Sequence, residues 1–347
     1  MATATAELTA ATPTERKIRI LTTQHKHWVP VWRDAVEMMP GWDEAGKLSG
    51  FKAFLWAWKL FRASRNYDAI VTGSKRPEHI FAAMQWLLRQ KHRVPHTFIY
   101  AGWNLPRSKW KAWIKLQLYR AYWRGVSRIV IFSKRQEELY CRGLNVPAHK
   151  FVIIPYHLTL WDTKFEVKEG DYIFTGGDST RDYRTFLEAL RGLPYKVRIA
   201  CRSREHFVGM EIPPNIEIGP VSEQEFMNLM AGAALVVVPL AVGQMHLGGQ
   251  QTYQNAMAMG KPVIVADDCG ADEYVTNGVD GILLSPGDME GMRAAIVQVM
   301  SDPAYAKRLG ENGKRAMQDP RYEPEYFLTK LLEAVRESVA ERQGAAR

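Results

Sequence analysis

The sequence predicts an α/β protein with two doubly wound domains that face each other across a cleft. The chain has 347 residues, which is long for a single hydrophobic core. Short apolar segments alternate with segments of helical periodicity along most of its length. Apolar runs of this kind, separated by helices, are typical of buried parallel strands. The alternation occurs twice, with a join near residues 152–162, where a proline follows a strand-like segment.

The first half is predicted to form a domain over residues 16–157. Its predicted strands are residues 18–23, 67–73, 94–102 and 128–133. Its predicted helices are residues 50–65, 77–92, 107–124 and 134–143. Residues 1–15 lack the apolar core of a signal peptide and are expected to form a disordered tail.

The second half is predicted to form a domain over residues 163–320. Its predicted strands are residues 172–177, 196–201, 215–220, 234–240 and 261–267. Its predicted helices are residues 180–192, 222–233 and 251–260. The C-terminal segment, residues 321–347, contains a further amphipathic helix that could cross back to brace the first domain. Ligands of open α/β sheets bind beyond the carboxyl ends of the strands, so the cleft between the domains is the expected site.

The composition, with 46% hydrophobic and 24% charged residues, is that of a globular protein. Cys141, Cys201 and Cys269 are odd in number and lack metal-ligand spacing, which indicates a reducing compartment without disulfide bonds. The longest mainly apolar run, residues 231–242, is shorter than the roughly 20 residues of a membrane span. We therefore expect a cytoplasmic protein.

The net charge of +9 is distributed unevenly along the chain. Residues 1–158 contain 26 lysines and arginines and 10 acidic residues, which gives +16, and the remainder is acidic. The first half also holds ten of the eleven tryptophans. A basic, tryptophan-rich domain is expected to face an anionic partner, either nucleic acid or a membrane surface.

Residues 107–124 carry two apolar stripes on a helical wheel, separated by lysines and arginines. One stripe consists of Trp110, Ile114, Leu118 and Ala121, and the other of Leu116, Tyr119 and Trp123. One stripe suffices to pack on a sheet, and a second one rimmed by cations suits a membrane interface. Residues 51–65 have a similar mixture; the alternative is two ordinary packed helices. No nucleic-acid-binding motif is recognisable, so we predict peripheral binding to an anionic membrane, on its inner face, and no nucleic acid.

Two glycine-containing turns of the second half lead from strands into helices. In YIFTGGDSTRDYRTFLEAL, Gly177 follows the strand and Arg181 lies where the helix begins. Free amides at a helix start and an arginine can bind a diphosphate. In the alternative interpretation this is a plain turn, in which Thr180 caps the helix and Asp182 favours its positive end.

The second turn is LGGQQTYQNAMAMG, where Gly248 and Gly249 precede a predicted helix. The first-turn amides of that helix, near Gln250, Gln251 and Thr252, are free to hold phosphate oxygens. Two such turns at one cleft would neutralise a nucleoside diphosphate from two sides.

From about residue 172 to 318 the chain resembles the donor-binding domain of GT-B glycosyltransferases of the group 1, or family-4, kind. The resemblance rests on AMAMGKPVIV, CGADE and NGVDGILLSPGD, in that order, and the first half matches more loosely through YDAIVTGS and VPHTFIYAG. It implies a GT-B fold and a nucleotide-sugar donor that needs no separate cofactor.

The resemblance also implies roles for individual residues. Arg181, together with Gly177, matches the position that neutralises the diphosphate. The loop from Gly219 to Val221 matches the segment around the base, and Glu273 matches a common acidic position that could instead cap a helix. The positions matching the phosphate and sugar loop are Gly249, Gln250, Gln251 and Thr252.

Two glutamates of the family pattern, eight positions apart, are replaced here by Leu247 and Asn255. The first glutamate usually contacts the donor sugar and the second the ribose. Asn255 can still exchange hydrogen bonds with a hydroxyl, but Leu247 cannot. The sugar contact must then come from Gln250, Gln251 or His246. A basic residue that is frequent in the family is Gly176 here, so the phosphates would depend more on Arg181.

The sequence identifies the catalytic groups less clearly than the donor-binding residues. Retaining members often carry a histidine after the strand that VPHTFIYAG matches, and here that place is Ala101 or Gly102, followed by Trp103 and Asn104 on the acceptor side. His25 and His27 follow the first strand, and either could act as a general base or bind acceptor hydroxyls. No DxD-type acidic cluster is evident in the cleft strands, so we expect no metal requirement.

The sequence therefore predicts a glycosyltransferase of the hexosyltransferase type that takes part in polysaccharide biosynthesis. It would move a sugar from a nucleoside diphosphate to a glycan or lipid-linked acceptor at the membrane. Two alternatives remain. The first is a degenerate GT-B protein that binds nucleotide or glycan without turnover, and the second is a nucleotide-sugar 2-epimerase.

Overall fold

A computed structural model describes residues 18–26, 28–42, 50–88, 94–106, 108–160, 164–267 and 269–345. These residues form two six-stranded sheets in which every paired strand is parallel. The strands of the first sheet lie in the order β2-β1-β3-β4-β5-β6. Their bounds are β1 Ile20–Thr22, β2 Val36–Met38, β3 Ala69–Thr72, β4 His96–Phe98, β5 Arg128–Ile131 and β6 Phe151–Ile153.

The strands of the second sheet lie in the order β12-β11-β10-β7-β8-β9, which is a doubly wound order. Their bounds are β7 Tyr172–Gly176, β8 Lys196–Ala200, β9 Ile216–Gly219, β10 Leu235–Pro239, β11 Val263–Ala266 and β12 Ile282–Leu284. The predicted α/β class, with two doubly wound domains, is confirmed. Because the chain leaves β9 and returns as β10 on the other side of β7, the switch point of this sheet lies between β7 and β10.

The helices of the first half are α1 Pro30–Arg33, α2 Gly50–Ser64, α3 Arg76–Leu87, α4 Lys109–Gly125 and α5 Lys134–Leu144. Those of the second half are α6 Tyr183–Leu190, α7 Glu223–Ala231, α8 Gln250–Ala258, α9 Met289–Ser301, α10 Pro303–Ala316 and α11 Pro324–Ala345. Within the described residues, no helix is both long enough and apolar enough to cross a bilayer.

The start of α6 differs from the predicted one. Thr180 has a φ of 58° and does not cap the helix. The cap is Asp182, whose carboxylate accepts hydrogen bonds from the Thr185 amide (3.0 Å) and hydroxyl (2.6 Å). A carboxylate at the N-cap satisfies a free amide and stabilises the helix start.

The last helix, α11, packs on the first sheet although it follows the second domain in the chain. Phe327 is fully buried there, and its ring lies 6.3 Å from the ring of Tyr100 and 6.4 Å from that of Phe132. At the far end of the helix, Glu341 pairs with Arg128 of β5. Burial of this apolar face ties the two domains together.

Candidate functional site

A cavity of about 630 Å³ lies between the two sheets, beyond the carboxyl ends of their strands. Its second-domain wall is formed by the residues that follow β7, β8, β9 and β10, with Phe226 and Met227 of α7 behind them. Its opposite wall comes from residues 100–102, Phe132, Gln136 and Tyr156. The cavity therefore lies at the switch point of the second sheet, where doubly wound proteins bind ligands, and its size suits a small molecule.

The loops after β7 and β10 are hydrogen-bonded to each other beneath this cavity. The Ala241 amide donates to the Thr180 carbonyl (2.9 Å), and the Asp182 amide donates to the Pro239 carbonyl (2.8 Å). This pairing fixes the residue between Thr180 and Asp182, which is Arg181.

The half-buried guanidinium of Arg181 joins the two glycine-containing turns. Its Nε donates to the Gly176 carbonyl (3.0 Å), one Nη to the Ser179 carbonyl (3.1 Å), and the other Nη to Thr252 Oγ1 (3.4 Å). Desolvation lowers the pKa of the guanidinium, which still remains a cation at neutral pH. None of the described carboxylates forms an ion pair with it. The positive charge is thus held in place by neutral acceptors and is available to an anion.

The glycines of these turns are required by their geometry. Gly177 has a φ of +116°, and a Cβ there would lie 2.9 Å from Nη2 of Arg181. Gly249 has a φ of +70°, and a Cβ there would lie 2.6 Å from Cγ1 of Val238. Gly249 is also the N-cap residue of α8, so the helix start lies next to Arg181. Gly177, Arg181, Gly249, Gln250, Gln251 and Thr252 all line the cavity, and the structure therefore brings the predicted diphosphate residues together.

The predicted nucleoside residues are only partly at the cavity. Val221 lines it, whereas Gly219 does not. Asn255 is fully buried, and its side chain is bonded to Thr159 of the interdomain linker: Oδ1 accepts from the Thr159 amide (3.2 Å) and Nδ2 donates to the Thr159 hydroxyl (2.8 Å). Asn255 does not line the cavity, and in this arrangement both ends of its amide bond to the linker instead.

Glu273 lies outside the cavity. Its Oε1 accepts hydrogen bonds from the backbone amides of Lys134 (2.6 Å) and Arg135 (3.3 Å), at the start of α5 in the first domain. Glu273 therefore caps a helix, as the alternative interpretation expected. The capped helix, α5, belongs to the first domain, whereas Glu273 belongs to the second. A carboxylate at this end of a helix is favourable because the helix dipole is positive there.

The predicted acceptor-side residues are likewise not part of the cavity wall. Trp103 is buried, and its indole N–H donates to Nε2 of His79 (3.0 Å). Asn104 bridges the domains: its Nδ2 donates to Gln244 Oε1 (2.7 Å), and its Oδ1 accepts from the Met245 amide (2.7 Å). These contacts give both residues structural roles, and the residue at the cavity is Gly102 instead.

The predicted catalytic histidine that the structure describes is not placed at the cavity either. His25 is exposed and does not line it, and His27 lies outside the described residues. The side chain that turns inward from this segment is Lys26, whose Nζ lies 2.8 Å from Nε2 of His157. Burial lowers the pKa of Lys26 to about 8 and that of His157 to about 3. The imidazole is therefore neutral and can accept a hydrogen bond from the ammonium group.

His246, Leu247 and Glu223 are among the cavity residues that were not assigned a definite role from the sequence. His246 and Leu247 follow β10, and Glu223 is the first residue of α7. Leu247 is almost fully buried, and it offers only an apolar side chain to the cavity. Both His246 and Glu223 follow the carboxyl end of a predicted strand, and this place in the sequence could have identified them as site residues.

Asp178 and Cys201 line the cavity, and with His206 they bring ligand-type atoms within 4.8 Å of one another. Cys201 Sγ donates to Asp178 Oδ1 (3.1 Å), which also accepts from the amides of Arg202 (2.7 Å) and Ser203 (3.1 Å). Burial raises the pKa of the Cys201 thiol to about 11, so the thiol is protonated at neutral pH. In this arrangement Asp178 stabilises the turn after β8.

Two family models and several known proteins match parts of this chain. The family model "Glycosyl transferase 4-like domain" matches residues 1–157, and the model "Glycosyl transferases group 1" matches residues 214–316. A glycogen synthase of Mycobacterium tuberculosis is 31% identical over 91 residues, which are 26% of this chain and 21% of that protein. An uncharacterized glycosyltransferase of Methanocaldococcus jannaschii is 26% identical over 156 residues, or 42% of this chain and 43% of that protein. The chain thus spans less than half the length of these curated relatives.

Solved structures share the fold. The Anabaena protein HepE, crystallised with UDP and glucose, has a TM-score of 0.68 at 14% identity, with 92% of this chain and 99% of that chain covered. Staphylococcus aureus TarM, in complex with fondaparinux, alpha-GlcNAc-glycerol and UDP, has a TM-score of 0.62 at 12% identity, with 81% and 58% covered. At such identities the likeness concerns the fold, which is the one predicted from the sequence.

Proposed function

Since this chain belongs to the group 1, family-4-like glycosyltransferases of the GT-B fold, we propose that it moves a sugar from a nucleoside diphosphate to a glycan or lipid-linked acceptor at a membrane surface. One observation carries the donor part of this proposal. Arg181 lies between two glycine-containing turns, bonded to both, with its charge unpaired by any described carboxylate and facing the cavity.

In this proposal the diphosphate lies against Arg181 and the first amides of α8, near Gly249. The partial positive charge of the helix start and the guanidinium oppose the phosphates from two directions. The base would extend toward Val221, and the sugar toward the wall that contains Gly102. A uracil nucleotide is a reasonable first probe, because related structures such as that of HepE contain UDP.

Departure of the nucleoside diphosphate requires stabilisation of the charge that develops on its phosphates. Arg181 and the start of α8 are preorganised for this, since neither has to reorganise during the reaction. We propose that these groups act without a metal ion, as expected from the sequence.

The corresponding prediction is that EDTA leaves donor turnover unchanged. The release of nucleoside diphosphate would be followed before and after dialysis against the chelator, with Mg²⁺, Mn²⁺ and Zn²⁺ added back separately. A loss of activity that one of these ions restores would contradict the proposal. Asp178, Cys201 and His206 would then be the first residues to replace.

The acceptor part of the proposal rests on an aromatic and cationic surface of the first domain. Helix α3 packs between α2 and α4, and these three helices leave large apolar side chains exposed. The exposed fractions are 73% for Phe51, 64% for Trp110 and 63% for Trp113. Lysines lie close to such rings, with Lys111 Nζ at 5.5 Å from the Trp110 ring. Exposed aromatic rings among lysines are typical of surfaces that insert into the interface of an anionic membrane.

Replacing Trp110 and Trp113 together by alanine should lower the fraction bound to anionic vesicles at least tenfold, because both rings would otherwise insert into the lipid interface. The measurement is flotation with vesicles of phosphatidylglycerol and phosphatidylcholine. A matched control replaces Val208 and Val297, two exposed apolar residues of the second domain, by alanine. If the tryptophan variant floats as well as this control, the membrane part of the proposal is wrong.

A further inference from the structure

The start of helix α5, in the first domain, is bonded to the second domain. Ser133 is the N-cap residue of this helix, and its hydroxyl donates to the carbonyl of Cys269 (2.7 Å). The next two amides of the chain, those of Lys134 and Arg135, donate to Oε1 of Glu273. The first amides of a helix lack partners within it and need caps or water. In α5 these amides join the two domains.

The two segments approach each other closely. A Cβ on Gly270 would lie 2.5 Å from the Cβ of Ser133, so the two backbones meet without a side chain between them. Beside this contact, the Tyr274 hydroxyl donates to the Phe132 carbonyl (2.5 Å). Glu273 itself is exposed, so water can take over its hydrogen bonds when the segments separate. The contact thus has a defined geometry, and opening it leaves no buried carboxylate without a partner.

Helix α5 connects this contact to the wall of the cavity. Its buried residue Gln136 lines the cavity, and Nε2 of Gln136 donates to the carbonyl of Ala101 (3.2 Å). The hydroxyl of Tyr140, about one turn further along the helix, donates to the same carbonyl and accepts from the Trp103 amide (2.8 Å). Side chains of α5 therefore hold residues 101–103 in place.

Part of this held segment faces the donor turns across the cleft. Ala101 and Gly102 line the cavity, and a Cβ on Gly102 would lie 3.7 Å from Nε2 of His246 in the second domain. In the proposed function, an acceptor has to reach the donor within this cleft. Transfer rates depend strongly on such separations, and a displacement of about 1 Å lowers a rate by a factor of about 100.

We propose that Glu273 is a positioning residue, which holds the start of α5 against the second domain and thereby sets the distance between residues 101–103 and the donor site. This inference rests on the proposed function, because it concerns the transfer step of that reaction. Glu273 makes no contact with the donor in this role. The groups proposed to hold the diphosphate, Arg181 and the start of α8, both belong to the second domain and keep their places without it.

The first test compares the rate of transfer with the binding of the donor. The release of nucleoside diphosphate would be followed with the best donor among UDP-glucose, GDP-mannose and ADP-glucose. Glu273→Ala should lower kcat about tenfold, and both the donor KM and the affinity for the nucleoside diphosphate should stay within about twofold of wild type. Glu273→Gln should recover most of the rate, because its amide oxygen can accept the same hydrogen bonds.

The matched control is Asp272→Ala, which removes the neighbouring exposed carboxylate, a group outside the donor cavity. Thermal unfolding of each unliganded variant checks its fold. Glu273→Asp should resemble Glu273→Ala rather than Glu273→Gln, because its side chain is one methylene shorter and does not reach the amides of α5.

A second test, hydrogen exchange, distinguishes positioning from simple capping. Loss of the cap alone should expose only the amides of Lys134 and Arg135 to exchange. Positioning through α5 should in addition speed exchange of the Trp103 amide, which donates to Tyr140. We expect this second effect in Glu273→Ala and not in Asp272→Ala.

A kcat of Glu273→Ala equal to that of Asp272→Ala, or unchanged exchange of the Trp103 amide, would overturn the proposal. A parallel loss of nucleotide affinity would also overturn it, because Glu273 would then support the second domain as a whole. If the wild-type protein turns over none of the donors, the proposed function fails, and exchange of the Trp103 amide alone decides whether Glu273 positions this wall.

Discussion

Replacing Arg181 by alanine should weaken the binding of the nucleoside diphosphate about 100-fold. Two charge-assisted hydrogen bonds to phosphate oxygens are worth about 3 kcal/mol together, which corresponds to a factor of about 100 in the dissociation constant. The fold should survive, because the bonds lost within the protein go to two loop carbonyls and one hydroxyl. The shift of the unfolding temperature with increasing nucleotide measures the affinity.

The matched control is Arg184→Ala, which removes an exposed arginine of the adjacent helix α6 and should leave the affinity unchanged. Arg181→Lys should fall between the two, because lysine keeps the charge but loses the planar fork. If Arg181→Ala binds nucleotide as tightly as Arg184→Ala, then Arg181 does not contact the phosphates.

Replacing Phe327 by alanine should lower the free energy of unfolding by about 3–5 kcal/mol, the usual cost of removing a fully buried phenylalanine. Its ring packs between Tyr100 and Phe132, and it lies 5.1 Å from the ring of His157 in the interdomain linker. The substitution should therefore loosen α11 from the first domain. Urea unfolding monitored by tryptophan fluorescence is informative, because the described tryptophans all lie in the first domain.

The control for this variant is Glu325→Ala, an exposed position in the first turn of the same helix. A midpoint for Phe327→Ala equal to that of Glu325→Ala would show that α11 does not stabilise the first domain.

The repeated alternation of strands and helices was sufficient to predict the fold, because buried parallel strands produce long apolar runs. Strands β2 and β12 were not predicted from the sequence, because they lack such apolar runs. Each has only three residues, and most of their side chains are partly exposed or exposed, so their apolar pattern is weak. Helices α9 and α10 were not assigned from the sequence either, although both carry an apolar face with the usual helical spacing.

The diphosphate residues could be predicted because a glycine-to-helix turn is a local feature of the sequence. Asn255, Glu273 and Asn104 could not be placed in this way, since their partners are far away in the chain. Asn255 bonds to Thr159, Glu273 to the start of α5, and Asn104 to the loop after β10. Such contacts depend on how the two domains face each other, which the pattern of a single sequence does not encode.

The replaced glutamates have different consequences in the structure. The side chain of Asn255 is hydrogen-bonded to the interdomain linker, while that of Leu247 forms an apolar part of the cavity wall. In the proposed function, Arg181 and the start of α8 hold the phosphates, and residues other than these two contact the sugar.

The most direct test of the central proposal is release of nucleoside diphosphate from a nucleotide sugar. The protein would be incubated with UDP-glucose, GDP-mannose, ADP-glucose and TDP-glucose, with and without anionic vesicles that carry a glycolipid acceptor. We predict release from one of these donors, faster with acceptor and abolished in Arg181→Ala. Tight nucleotide binding without release from any donor would contradict the proposal and show a protein that binds nucleotide without turnover.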